Sequence, residues 1–164
     1  MSRRGLSHAA SRRPKVSEMI SIGRRVFENV KSDMIVHYGK FNVRGLCVAE
    51  TIVLVGSGSG DWIAGEDCVV VAEKGLVKLG RVDCVKTYLL GFNGRVIAGN
   101  ISTQMGFIKK ARIGYLKAGL ALIGAETIVA NAFISNAVFL DPHVWFKAKP
   151  TINVAEYKYP ALES

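Results

Sequence analysis

The sequence has little of what marks a disulfide-rich, membrane-spanning or secreted protein. Its three cysteines, at positions 47, 68 and 84, are odd in number and far apart, which predicts no disulfide framework and favours a reducing compartment. No apolar run approaches the roughly 20 residues that a membrane-spanning helix needs. No apolar stretch follows the N-terminal arginines, as it would in a secretory signal. We therefore expect a cytoplasmic location, with the inner face of the cytoplasmic membrane as an alternative.

Recognisable catalytic and cofactor motifs are also missing. The three histidines, His8, His37 and His143, are too far apart for ligand spacing. The glycine-rich stretch 56–60 lacks the Lys-Ser/Thr of a phosphate-binding loop. Cys47, Cys68 and Cys84 could form a three-thiolate metal site if they lay in one column. The alternative, which we favour, is that each is a small buried hydrophobe. We expect no enzyme activity, no cofactor and no bound metal.

The composition is that of a folded domain. The 164 residues are 49% hydrophobic, with 17 glycines and only 4 prolines, so we expect one globular domain with tails. The net charge of +9 is concentrated at the N-terminus, where residues 1–31 hold eight Lys and Arg against two acids. Such a basic arm could contact nucleic acid, an anionic membrane or an acidic partner, or could simply be solvated.

Residues 1–13 are predicted to be a flexible basic tail, and residues 14–33 an amphipathic helix. Pro14 suits the first turn of a helix, and the apolar residues from Val16 to Val30 mostly recur at steps of three and four. This helix could cover an open end of the following domain, or lie on a membrane surface. The candidate residues for membrane or partner contact are Arg12, Arg13, Lys15, Arg24, Arg25 and Phe27.

Residues 34–141 contain short β-prone runs broken by Gly, Asn or Asp, which predicts a coiled stack of strands. Gly80-Arg81-Val82 and Gly94-Arg95-Val96 begin two copies of one phrase, and looser copies begin at 111 and 126. A unit this short cannot bury its own apolar side, so neighbouring copies must stack. The prediction is a mainly β fold, a parallel β-helix of about six coils.

Residues 142–164 form an extension that is too aromatic for a free tail, and they could add a strand or pack along the stack. A β-helix has two ends with unpaired backbone groups and open apolar core, which must be capped or must meet another subunit. We therefore expect self-assembly through the C-terminal end. The candidate residues for it are Phe133, Phe139, Leu140, Trp145 and Phe146.

Four phrases, Val43-Arg44-Gly45, Gly80 to Asp83, Gly94 to Ile101 and Arg112 to Ile123, resemble the repeat of bactofilins, the polymer-forming cytoskeletal proteins of bacteria. The resemblance implies a right-handed, three-faced β-helix that assembles end to end into filaments without nucleotide, with tails that attach membrane or partner proteins. The flanks differ from that family, because they are not proline-rich and the C-terminal one is aromatic. This difference favours a short oligomer, or a subunit of a larger assembly.

The predicted function is thus a structural scaffold subunit whose main partner is itself. One alternative is a nucleic-acid-binding or coat-type protein that uses residues 1–31. A third hypothesis is a left-handed hexapeptide-repeat protein of the acyltransferase type, because Ile123-Gly124, Val129-Ala130 and Ser135-Asn136 fall six residues apart.

Overall fold

The computed structural model describes residues 17–159, which form a parallel β-solenoid of about nine turns. The mainly β, parallel coiled fold predicted from the repeats is confirmed. Strand β3 is long because the chain stays extended through most of its corners. The strands are β1 (Glu18–Ile22), β2 (Arg25–Glu28), β3 (Met34–Lys109), β4 (Ala111–Ile123), β5 (Thr127–Phe139), β6 (Val144–Phe146) and β7 (Thr151–Tyr157).

The helix predicted for residues 14–33 is wrong for the part that the structure describes. Strands β1 and β2 occupy this stretch and pair in parallel with β3, Glu18 beside Met34 and Arg25 beside Phe41. The apolar spacing that suggested a helix also fits two short alternating strands, and the next coil offers them a ladder of backbone partners. Residues 17–33 and 142–159 therefore form additional coils, which is why the solenoid exceeds the predicted six.

The core consists of pairs of inward-facing residues that recur every five residues. In the coil that begins at Val96, three such pairs occupy 15 residues, so the interior has three sides and is mainly apolar. This spacing of five differs from the spacing of six that hexapeptide repeats need. The pairs are Val96 and Ala98, Ile101 and Thr103, Gly106 and Ile108, and then, one coil later, Ala111 and Ile113, Leu116 and Ala118, Ala121 and Ile123.

The two Gly-Arg-Val copies are not equivalent positions in successive coils. Gly80 lies under Gly99, and Gly94 lies over Gly75, so the coils in this region are 19 residues long. Gly80 and Gly94 consequently sit at different corners, and the 14-residue step between them does not measure a coil. The later steps come closer, because the register is 15 residues from Val96 to Ala111 and 16 from Arg112 to Ile128.

One corner of the solenoid is marked by left-handed backbone. Lys110 and Glu126 have φ angles of 52° and 58°, and they lie where β3 gives way to β4 and β4 to β5. Non-glycine residues adopt this conformation only when the surroundings impose it. The corner therefore absorbs the insertions that make coil lengths unequal.

The cysteines do not behave as the sequence suggested. Cys68 and Cys84 form a disulfide between neighbouring coils, so the prediction of no disulfide is wrong for this pair. Cys47 is free and buried, as predicted, and burial raises the pKa of its thiol to about 11. Disulfides are typical of oxidising compartments, so the cysteines no longer favour a cytoplasmic location.

Gly99→Ala is expected to lower the free energy of unfolding by about 1–3 kcal/mol, because overpacking against backbone has no easy relief. A Cβ at Gly99 would lie 2.6 Å from the carbonyl oxygen of Gly80 in the coil below. Urea unfolding measures the change. The matched control is Gly106→Ala, whose Cβ would meet only side-chain carbons of Thr103 and Ile108, at 3.2 and 3.7 Å. Equal losses in the two variants would contradict the proposed carbonyl clash.

Reducing the Cys68–Cys84 disulfide is expected to lower the free energy of unfolding by about 3 kcal/mol, the value for a closed loop of about 15 residues. Thermal unfolding with and without reductant measures it. The next coil places Thr87 and Thr103 at the same separation of 16 residues, with their hydroxyls 3.0 Å apart. The double variant Cys68→Thr, Cys84→Thr should therefore fold and lose its sensitivity to reductant. Persisting sensitivity would point to Cys47.

Candidate assembly interface

The C-terminal opening of the solenoid is built by β6 and β7, which lie on the last full coil, β5. Each inward residue of the final coil continues a column of the core. This happens because the chain keeps its alternation, so every second residue points inward. The columns end with Val144 on Thr127, Phe146 on Val129, Ile152 on Ile134, Ala155 on Ala137 and Tyr157 on Phe139.

Aromatic rings fill much of this opening. The ring of Phe139 stacks on Tyr157 at 5.2 Å between centroids and meets Phe146 edge to face at 6.0 Å. Tyr159 approaches Tyr157 edge to face, also at 6.0 Å. A cavity of about 220 Å³ remains between these rings and the corner at Asp141 and Pro142. The opening is thus an apolar, partly unfilled surface rather than a closed cap.

The strands of the final coil are hydrogen-bonded along one of their two edges. β6 and β7 bond only to β5 within residues 17–159, so the far edge of each carries N–H and C=O groups without a strand partner there. Tyr157 is 64% exposed, although it occupies a core column. Unpaired strand edges beside exposed apolar side chains are a template for association with another chain.

A polar corner holds the start of β6 in place. The backbone N–H of His143 donates to Oδ1 of Asp141 at 2.8 Å, and Nδ1 of His143 lies 2.9 Å from the same oxygen. The backbone hydrogen bond is the main reason that the pKa of Asp141 lies below its ordinary value, and the bond to the His143 ring lowers it further. The ionised carboxylate of Asp141 therefore stabilises the turn that leads into β6.

The N-terminal opening has a different chemistry. β1 and β2 pair only with β3 among the described residues, so their outer edge also has no strand partner there. The inward positions, however, include Ser21 and Arg25. The Arg25 guanidinium lies 4.8 Å from the ring centroid of Phe27 and covers it. Inward-pointing charge is a device that discourages pairing at a sheet edge.

A buried histidine supports this polar end. His37 is fully buried, Nε2–H donates to the carbonyl of Lys40 at 2.8 Å, and Nδ1 lies 2.7 Å from the Ser21 hydroxyl. Phe27 and Phe41 flank the imidazole ring edge to face. Both ring nitrogens are occupied within the core, so His37 has a structural role in this arrangement.

The structure spreads the predicted self-assembly residues over three environments. Phe146 lines the C-terminal opening, whereas Phe139 lies one level deeper and is only 7% exposed. Phe133 and Trp145 are half exposed on outer faces, where Phe133 contacts Tyr115 and Trp145 contacts His143. Leu140 is part of a corner, and its N–H donates to the carbonyl of Ile123.

Of the residues predicted for membrane or partner contact, the three that the structure describes lie in different environments. Arg24 is exposed, Arg25 points into the N-terminal opening, and Phe27 is 1% exposed in the core. Arg12, Arg13 and Lys15 lie outside the described residues. The amphipathic face expected of a helix is therefore replaced by an inward and an outward side of two strands.

Sequence reasoning missed Ile152 and Tyr157 as residues of the opening. The signal that could have found them is the inward spacing of β5, Ala132 and Ile134 followed by Ala137 and Phe139. The same alternation, carried on after the Pro150 corner, marks Ile152 and Tyr157 as inward positions. The aromatic content of the extension instead suggested Trp145, which faces outward.

Compared with known proteins, the chain matches no family model, no curated protein and no solved structure. The similarity to the bactofilin repeat therefore stays a prediction that rests on the residues alone. Within residues 17–159, no three His, Cys, Asp or Glu side chains come together as a metal site would require. The same range has no helix of the length and apolarity that crossing a bilayer demands.

The C-terminal coil is expected to loosen in acid. A carboxyl group whose folded pKa is lowered adds stability above its unfolded pKa and loses that contribution as pH falls through the folded value. Because the folded pKa of Asp141 is lowered, this loss occurs at a pH below the ordinary pKa of an aspartate. The fluorescence of nearby Trp145 should report it during acid titration, and Asp141→Asn should flatten the titration. Glu66→Gln, at an exposed position along the rod, is the control; an identical effect there would remove the role of Asp141.

Proposed function

We propose that this protein is a structural scaffold subunit that associates end to end with copies of itself. The bactofilin resemblance supports this proposal and, with it, a right-handed winding of the solenoid. The function needs no nucleotide or reaction, only surfaces that are incomplete in the single chain. The observation that carries the proposal is the C-terminal opening, where strand edges without a partner among residues 17–159 surround exposed apolar residues.

Two contributions make association at this opening favourable. Burying one large apolar side chain gives about 1.5–3 kcal/mol, and Phe146, Ile152 and Tyr157 are all partly or largely exposed. A second chain would also pair the free edges of β6 and β7, each net hydrogen bond adding about 1 kcal/mol. These contributions together can exceed the entropy lost on association.

The difference between the two ends favours limited growth. An apolar opening at the C-terminal end can meet the same opening of another copy in an isologous contact. The inward Arg25 and Ser21 at the opposite end make a continuing contact less favourable, since charge there would have to be desolvated. We therefore propose a short oligomer built on C-terminal contacts, in which basic residues near the N-terminus contact a membrane or another component.

Tyr157→Glu is expected to weaken end-to-end association at least tenfold while the chain remains folded. The carboxylate would have to be buried in the contact, whereas in the single chain it reaches water. Sedimentation velocity and negative-stain images of protein freed of nucleic acid measure the assembly. The larger particles of the native chain should disappear.

The matched control is Tyr115→Glu, an exposed tyrosine on an outer face in the middle of the rod. It should leave assembly unchanged. Particles of the native size that persist in Tyr157→Glu, or assembly that requires added DNA or RNA, would contradict the end-to-end scaffold. A requirement for nucleic acid that vanishes on deleting residues 1–13 would favour the coat-type alternative.

A further inference from the structure

One outer side of the solenoid carries a column of apolar side chains that is separate from both ends. We call it the apolar face and define it by Val36, Val53, Val69, Tyr88, Phe107 and Leu122. Each of these residues lies between two inward core residues, so it points outward, and each is half-buried by its neighbours. The column extends to Ile20, which pairs with Val36, and to Val138, which pairs with Leu122.

The register that aligns this column is visible along the rod. The N–H of Thr51 bonds to the carbonyl of Asp33, which sets Val53 beside Val36. The rings of Tyr88 and Phe107 stack at 6.5 Å, and Phe107 pairs with Leu122. The result is a strip of branched and aromatic side chains along most of the length of the solenoid.

A neighbouring outer side of the rod carries more polar and charged residues. In the coils around residues 81–117, a neighbouring side carries Arg81, Asp83, Asn100 and Lys117. There Nε of Arg81 lies 2.6 Å from Oδ2 of Asp83, and the Arg81 guanidinium lies over the ring of Trp62. Contiguous exposed apolar area is uncommon on monomers and marks interaction sites. The apolar face therefore needs a covering partner that the polar side does not.

We propose that a second copy of this chain covers the apolar face, so that two solenoids pack side by side. Eight coils spaced by about 4.8 Å, with about five residues of strand in each, give a footprint of roughly 600 Å². That area matches one partner's share, about 600–1,000 Å², of a specific interface. Two flat sheets of this kind pack face to face at a separation of about 10 Å.

Other occupants fit less well. Residues 1–16 consist mainly of arginine, serine and alanine, and residues 160–164 are too few, so neither terminus offers a matching apolar strip. The border of the apolar face carries charges of both signs, since Lys86 and Lys109 lie beside it as well as Glu18 and Asp67, and Glu73 accepts a hydrogen bond from Tyr38 there. Such a mixed border lacks the basic cluster that binds an anionic lipid surface. A copy of the same face supplies a matching apolar strip of the same length.

The test is made in the Tyr157→Glu chain, where end contacts are removed. Sedimentation velocity should give twice the 17.8 kDa chain mass. Adding Val53→Glu and Val69→Glu should halve the mass, because charges would face each other across the contact. The matched control adds Ile97→Glu and Ile128→Glu, two half-buried outward residues on another side, and should stay dimeric. A folded Val53→Glu, Val69→Glu chain that remains dimeric would overturn the proposal.

A second measurement does not depend on these variants folding or on the end contact. A photo-crosslinking benzoylphenylalanine in place of Phe107 in the otherwise native chain should give a covalent dimer, and one in place of Ile97 should not. Absence of the dimer from position 107 overturns the proposal. So does a monomer that binds phosphatidylserine vesicles through this face, which would assign it to lipid instead. The end-to-end proposal is judged separately, by Tyr157→Glu alone.

Discussion

The stacking of each coil on the next is the interaction on which the rest of this structure depends. A single coil has two or three inward residues per side and cannot form a core, so it exists only while its backbone is paired with neighbours. The inward pairs at five-residue spacing keep that pairing in register from Val96 to Phe139. Insertions are tolerated at corners such as Lys110 and Glu126, where the backbone is left-handed.

The same dependence gives the two ends their importance, since a stack built by neighbours lacks a neighbour at each end. The two ends differ in the side chains that they expose. Arg25 lies over Phe27 at one end, whereas Phe146 and Tyr157 remain open at the other. This asymmetry is the basis of the proposed finite assembly. The apolar face is a second surface, along the side of the solenoid, so the proposed side contact is separate from the proposed end contact.

Two pairs of inward residues, at equivalent positions in neighbouring coils, are linked in different ways. Cys68 and Cys84 join covalently, and Thr87 and Thr103 share a hydrogen bond at the same separation. Both pairs satisfy small polar or polarisable groups inside a narrow coil. This equivalence explains why distant cysteines can meet although their spacing of 16 residues carries no disulfide signature in the sequence.

The sequence by itself indicated a parallel stack of short strands, because units this short cannot bury their apolar side chains without stacking on their neighbours. It also indicated that the aromatic C-terminal extension is not a free tail. Only the tertiary structure decided the register, because the Gly-Arg-Val copies at Gly80 and Gly94 look equivalent in sequence yet occupy different corners. It also decided that residues 18–28 are strands, since their backbone partners lie one coil away. Which side chains end in the opening, Tyr157 rather than Trp145, followed from that register and not from residue type.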